Sequence, residues 1–134
     1  MAFVLDASTA VAWCFDEHHP AADRTLELAK ISPPKAPAIL WFELRNAAVM
    51  GVRRGRISLE SAAGVLSRIH RIRISFAPLP ENADQIFSLA ERHRLTFYDA
   101  AYLELAQRES IELATLDKAL ARAAEAEGVA LVGA

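Results

Sequence analysis

Residues 2–8 read Ala-Phe-Val-Leu-Asp-Ala-Ser (AFVLDAS). An unbroken apolar run over 2–5 suits a short strand buried on both faces, and it stops at Asp6. A charge placed directly after a buried strand needs a physical reason. Ala7 to Phe15 then favours a helix, with Ser8 near its start. Strand, acid, helix is how a parallel α/β unit begins. A second such passage lies near the other end, where strand-like residues 111–115 lead to Asp117 and to a helix that Gly128 ends.

Between these passages the pattern continues. His19-Pro20 opens a helix to about Ile31, with Ala22, Leu26 and Ala29 on one face, and Ser32-Pro33-Pro34 breaks it. Residues 35–39 are a second strand, and Trp41 to Arg54 a helix ending before Gly55. Ser58 starts the next helix, with Leu59, Ala62, Leu66 and Ile69 at helical spacing. Residues 72–77 alternate as a third strand, closed by Pro78 and Pro80. Residues 81–93 carry Ala83, Ile86, Phe87 and Ala90 on one helical face. Thr96 to Asp99 reads as a capping box with Asp in place of Glu, opening a helix to about Glu109. Residues 129–132 make a last short strand. Strands separated by helices predict one α/β domain over 1–134, a short, mostly parallel sheet flanked by helices in a three-layer sandwich.

Composition narrows the function. The chain has 134 residues, 53% hydrophobic and 24% charged, the profile of an ordinary globular domain with a core. Its net charge of −2 excludes coating nucleic acid by bulk electrostatics, so any such contact needs a local basic patch or a bound cation. The one cysteine, Cys14, allows no internal disulfide and sits in an apolar run as a buried side chain. The N-terminus lacks a basic signal-peptide region and no apolar run suits a membrane helix, so the expected location is the cytoplasm.

In an α/β unit the carboxyl ends of parallel strands and the N-termini of the following helices share one edge, and ligands bind there. Asp6 and Asp117 follow predicted strands, while Glu43 and Asp99 fall in the first turns of predicted helices. Taken singly, each has an ordinary explanation as a cap or a helix-terminal acid. Taken together, four like charges on one edge require protons or a cation. Oxygen donors without a matching His or Cys set favour Mg²⁺ or Mn²⁺, with Asp6, Asp99 and Asp117 as ligands. Such an ion activates water for in-line attack on a phosphodiester, and a second ion would steady the leaving oxygen. Glu43 either holds a metal-bound water or acts as general base. Ser8 and Thr115 stand beside the acids as orienting hydroxyls, and Asn46 shares the helical face of Glu43. His18, His19, His70 and His93 fall elsewhere.

At these residues the chain resembles the PIN-domain family, and within it the VapC-like toxins of toxin–antitoxin pairs. The matching segments are VLDAS at 4–8, PAILWFELRNA at 37–47, LTFYDAAYLELA at 95–106 and LATLDKAL at 113–120. The resemblance aligns the family's acidic site with Asp6, Glu43, Asp99 and Asp117, its asparagine with Asn46 and its small hydroxyl residue with Ser8. It implies a PIN-like fold, metal-dependent endonucleolytic cleavage of RNA, a homodimer and an inhibitory antitoxin.

Arg45, Arg53, Arg54, Arg56, Arg68, Arg71 and Arg73 concentrate basic charge in the middle third, either as phosphate contacts or as solvated helix faces. Trp13, Phe15, Trp41 and Phe42 are candidates for a groove that receives an antitoxin segment, or for the core. A haloacid-dehalogenase-like phosphatase would need a second Asp where Ser8 stands. A receiver domain would need adjacent acids and a lysine placed otherwise than Lys118. A non-catalytic PIN-like binding module and a DNA-directed nuclease are the remaining alternatives.

Overall fold

The computed structural model describes residues 2–15 and 17–133. The elements alternate as β1 (Phe3–Leu5), α1 (Ala7–Cys14), α2 (Pro20–Ile31), β2 (Lys35–Pro37), α3 (Ile39–Arg53), α4 (Leu59–Arg71), β3 (Ser75–Ala77), α5 (Asp84–His93), α6 (Phe97–Glu109), β4 (Glu112–Ala114) and α7 (Lys118–Ala126). All strand pairs are parallel, in the order β3-β2-β1-β4.

Given that order, handedness places the helices. Parallel crossovers are right-handed, so stepping outward from β1 to β2 to β3 keeps α1–α4 on one face. The return from β3 to β4 reverses direction and puts α5 and α6 on the other face, giving the expected three layers. The reversal falls between β1 and β4, which are paired Phe3 to Glu112, Val4 to Leu113 and Leu5 to Ala114. Helix α6 packs against β1, β2 and β4 as well as α5 and α7. It is accordingly buried almost all round, at Ala100, Tyr102, Leu103, Leu105 and Ala106. Glu104 survives in that setting because Arg108 binds both its oxygens, at 2.9 and 3.1 Å. No helix among the described residues is long and apolar enough to cross a membrane.

Several boundaries differ from the sequence reading. Residues 129–132 form a single bridge, Leu113 to Leu131, rather than a strand. Gly128 and Gly133, both at positive φ, turn the chain on either side and leave room for one pair beside the short β4. Helix α3 begins two residues earlier than expected, so Glu43 lies in its second turn, not its first. Strand β3 is confined to 75–77 and α5 starts at Asp84. The buried face of α4 is Ala62, Val65 and Ile69, whereas Leu59 and Leu66 are exposed. On α5, Ile86 and Leu89 are buried while Phe87 is exposed.

Candidate acidic active site

The reversal point between β1 and β4 is where an open parallel sheet forms a ligand crevice at its carboxyl edge. Asp6 emerges there from β1 and is itself buried, 3% exposed. It caps α1, its Oδ1 accepting the Thr9 N–H at 3.0 Å. Ser8 Oγ donates to both carboxylate oxygens at 2.8 Å, and Thr115 Oγ1 donates to Oδ2. The two hydroxyls are in turn fixed from the β4 side. Ser8 Oγ accepts the Leu116 N–H at 2.9 Å, and Thr115 Oγ1 accepts the Asp117 N–H at 3.0 Å. Asp6 is thus held by groups from both strands of the crevice. The Thr9 hydroxyl lies near the same carboxylate but has no hydrogen-bond partner among the described residues. Burial pushes the Asp6 carboxyl above its usual range, against the pull of Thr115, Thr9 and Ser8.

Asp117 caps α7 through the Leu120 N–H at 3.0 Å. Asp99 is in the first turn of α6, where its backbone N–H donates to Thr96 Oγ1 at 3.1 Å. The reciprocal half of the expected capping box, from the Asp99 carboxyl back to the Thr96 N–H, is not formed among the described residues. The Asp99 carboxyl is raised by burial and then by the negative charge of Asp117, with Thr96 opposing. Glu43 is raised by burial first, and further by the charges of Asp99 and Asp6. The four acids therefore share one electrostatic field, although they come from four different elements.

Tyr102 completes the site and was missed by the sequence reading. It is fully buried, and its hydroxyl donates to Glu43 Oε1 at 2.5 Å. This bond lowers the Glu43 pKa against burial, and burial drives the tyrosine's own pKa far above normal. The signal was its spacing, three residues after Asp99 and so on the same face of α6. Asn46 is exposed and shares a groove with Glu43, Ile39, Phe42 and Tyr98, without a side-chain hydrogen bond among the described residues.

The other expectations divide. Trp13 and Phe15 pack against the core, with Trp13 Nε1 donating to Ala22 O at 2.8 Å. Trp41 and Phe42 remain exposed, 45% and 62%. Arg45 stacks over the Trp41 ring at 3.9 Å, and Arg68 donates to Cys14 O at 2.7 Å. Those two arginines are tied to the fold, whereas Arg53, Arg54, Arg56, Arg71 and Arg73 are exposed. Cys14 is buried as expected, which raises its thiol to about 11. His93 is engaged with Glu127, and His18, His19 and His70 are exposed.

Residues 3–126 match the PIN domain. The chain belongs to the PIN-domain family. A relative in this family, Ribonuclease VapC3 of Pyrobaculum aerophilum, is 30% identical over 90% of this chain and 93% of its own. Solved PIN-like structures share the fold. VapBC2 of Rickettsia felis, bound to a DNA fragment from their promoter, aligns with TM-score 0.66 and 16% identity over 98% of this chain and 97% of that one. FitAcB of Neisseria gonorrhoeae aligns with TM-score 0.64 and 21% identity over 98% and 96%.

Whether this PIN domain's acids suit a divalent ion is a question of donors and charge. Among the described residues no three His, Cys, Asp or Glu side chains are gathered tightly enough, as they stand, to hold one. In kind they fit: the crevice offers carboxylate and hydroxyl oxygens, the donors hard cations prefer. Burial raises Asp6, Glu43 and Asp99, joined at Glu43 and Asp99 by neighbouring negative charge, and a bound cation would favour their ionised forms.

Proposed function

We propose that this PIN domain is an endoribonuclease, the toxin of a toxin–antitoxin pair, acting in the cytoplasm on RNA phosphodiesters. The observation that carries the reading is the buried Asp6 carboxylate, held by Ser8, Thr9 and Thr115 at the sheet's reversal point in a field shared with Glu43, Asp99 and Asp117. A buried carboxylate with no cationic side chain bonded to it among the described residues is costly for stability and suits a site built to bind positive charge. The likeness to Ribonuclease VapC3 supports RNA as the substrate, and the likeness to VapBC2 supports a cognate antitoxin. A homodimer is part of the same proposal.

In this reading Asp6, Asp99 and Asp117 would hold Mg²⁺ or Mn²⁺. When bound, the ion supplies a polarised phosphodiester and an acidified water. Asp6 is fixed in orientation by three donors, the Ser8 and Thr115 hydroxyls and the Thr9 N–H. Tyr102 restrains one oxygen of Glu43 and leaves the other to accept a proton from the attacking water. Thr115 links Asp6 and the Asp117 backbone, keeping the β1 and β4 ends in register. Arg53 and Arg54, exposed at the far end of α3, contact phosphates and position the strand.

The deciding experiment incubates purified protein with structured and single-stranded RNA and with single-stranded DNA, in Mg²⁺, Mn²⁺ or EDTA. Asp6→Asn and Asp99→Asn run in parallel, with circular dichroism to verify folding. RNA cleavage that requires metal and disappears in both folded variants is the expected result. Cleavage that persists in EDTA or in the variants would overturn the site assignment, and cleavage of DNA alone would overturn the substrate.

A further inference from the structure

Glu43 belongs to two surfaces at once. It is coupled to the charges of Asp99 and Asp6, and it lines a shallow groove of about 320 Å³ with Ile39, Phe42, Asn46 and Tyr98. The aromatic rings in this groove face solvent, Phe42 at 62% and Tyr98 at 56% exposed. Among the described residues six aromatic residues are exposed, Trp41, Phe42, Phe76, Phe87, Phe97 and Tyr98, and of these Phe42 and Tyr98 line the groove that holds Glu43. Phe42 is also braced: Trp41 meets it edge-on with centroids 5.0 Å apart, and Arg45 covers the Trp41 ring. A braced ring loses little conformational freedom when something stacks on it.

The rest of the lining defines the occupant. Among the described residues the groove contains no lysine or arginine, so it does not suit a phosphate or an acidic peptide. Besides Glu43, its polar groups among the described residues are the Tyr98 hydroxyl and the Asn46 amide, the latter offering donors and an acceptor in one plane. Its volume lies at the small end of ligand pockets. Aromatic faces plus one planar amide are the recognition chemistry of an unpaired base. Glu43, which lines this groove, also feels the charges of Asp99 and Asp6, and Tyr98 directly precedes Asp99 in the chain.

We infer that this groove receives one unpaired nucleobase of the RNA, stacked on Phe42 and Tyr98, read at its edge by Asn46 and adjoining the phosphate to be cut. The inference rests on the nuclease reading and adds a preference to it. The strand is best bound unpaired beside the scissile bond, because a paired base must first be unstacked and unpaired to enter, at an energetic cost. Stacking tolerates any base, so whatever preference exists at this position comes from the Asn46 amide and the Tyr98 hydroxyl.

The test uses short single-stranded oligoribonucleotides carrying 2-aminopurine at each position in turn, whose fluorescence falls when the base stacks. Binding is followed in the Asp99→Asn background to keep the RNA intact, and cleavage in the wild type. Quenching is expected at one position and is lost in Phe42→Leu/Tyr98→Leu, with KM rising about tenfold or more and kcat little changed. Phe42→Trp and Tyr98→Phe, which keep the stacking faces, retain both. Asn46→Ala keeps the quenching and flattens the base preference at that position. Absence of quenching at every position, or unchanged quenching and KM in the double leucine variant, would overturn the inference while leaving metal-dependent cleavage intact. A double variant that loses only antitoxin binding would do the same and assign the groove to that partner. Position-specific quenching in a protein that cleaves no RNA would instead remove the nuclease reading and keep the base subsite.

Discussion

Tyr102 has no exposed surface, yet its hydroxyl goes to a carboxylate rather than to the backbone. Phe at this position fills the same space and removes only the bond. Tyr102→Phe is expected to cost about 1 kcal/mol of stability, the net worth of one buried hydrogen bond, measured by urea denaturation. Its effect on catalysis has a direction. The hydroxyl lowers the Glu43 pKa, so its loss pushes that carboxyl further up. If Glu43 accepts a proton, the acidic limb of the pH–rate profile moves to higher pH in the variant; an unmoved limb would detach Glu43 from proton transfer. The acids were legible in the sequence because each interrupts or flanks apolar residues, where a charge is conspicuous. Tyr102 was not, because an aromatic at a core position of a helix is already explained by packing, and only three-dimensional structure shows where its hydroxyl points. The same limit applied to Trp13 and Trp41, near-identical as words in the sequence but respectively packed on the core and exposed.

At the scale of elements, the periodic signal found nearly every helix and strand but misjudged which residues cover the core. On α4 the residues Leu59 and Leu66 keep helical spacing and are nonetheless exposed, while Val65 is buried. Hydrophobicity alone does not choose between adjacent stripes of one helix; the packing partner does, here α3 and α1. The α5–α6–α7 layer shows a tie that no periodicity reveals. Glu127, at the end of α7, accepts from His93 Nε2 at 2.6 Å, Arg92 Nη1 at 2.7 Å and Gln107 Nε2 at 3.1 Å, which joins three helices. These bonds, led by that of His93, hold its carboxyl down at about 2. A depressed carboxyl contributes stability above its unfolded value of 4.5, and that contribution is lost as pH falls toward about 2. Glu127→Gln is therefore expected to destabilise by about 2 kcal/mol near neutral pH. The gap to wild type should close on acidification in thermal melts. A pH-independent gap would mean that the glutamate acts through packing.

For the whole molecule, the parallel character of the sheet was legible because helices separate every pair of strands, and short connections were excluded. The order β3-β2-β1-β4 was not, since nothing local states where the winding reverses. That reversal is what brings Asp6 and Asp117 side by side, and it sets the opposite pH behaviour from that of Glu127. Asp6, Glu43 and Asp99 all have carboxyls raised above their ordinary values of 3.8, 4.5 and 3.8. Between those values and the raised ones the folded chain binds more protons than the unfolded chain, so stability falls as pH rises through that window. In EDTA the protein is therefore expected to be more stable in mild acid, above the range in which Glu127 titrates, than at neutral pH. Asp99→Asn removes one of the repelling charges without disturbing the Thr96 cap, whose bond uses the backbone. Because Asp99 is partly exposed, the gain near neutral pH is about 0.5 kcal/mol after solvent screening, and it vanishes on acidification. Mg²⁺ replaces protons as the compensating charge, so it should raise the wild-type Tm at neutral pH and do so less for Asp99→Asn. Melting curves with and without Mg²⁺ across the pH range read all three effects. A variant less stable than wild type at every pH, together with a Tm indifferent to Mg²⁺, would mean that the four acids do not act as one charged cluster.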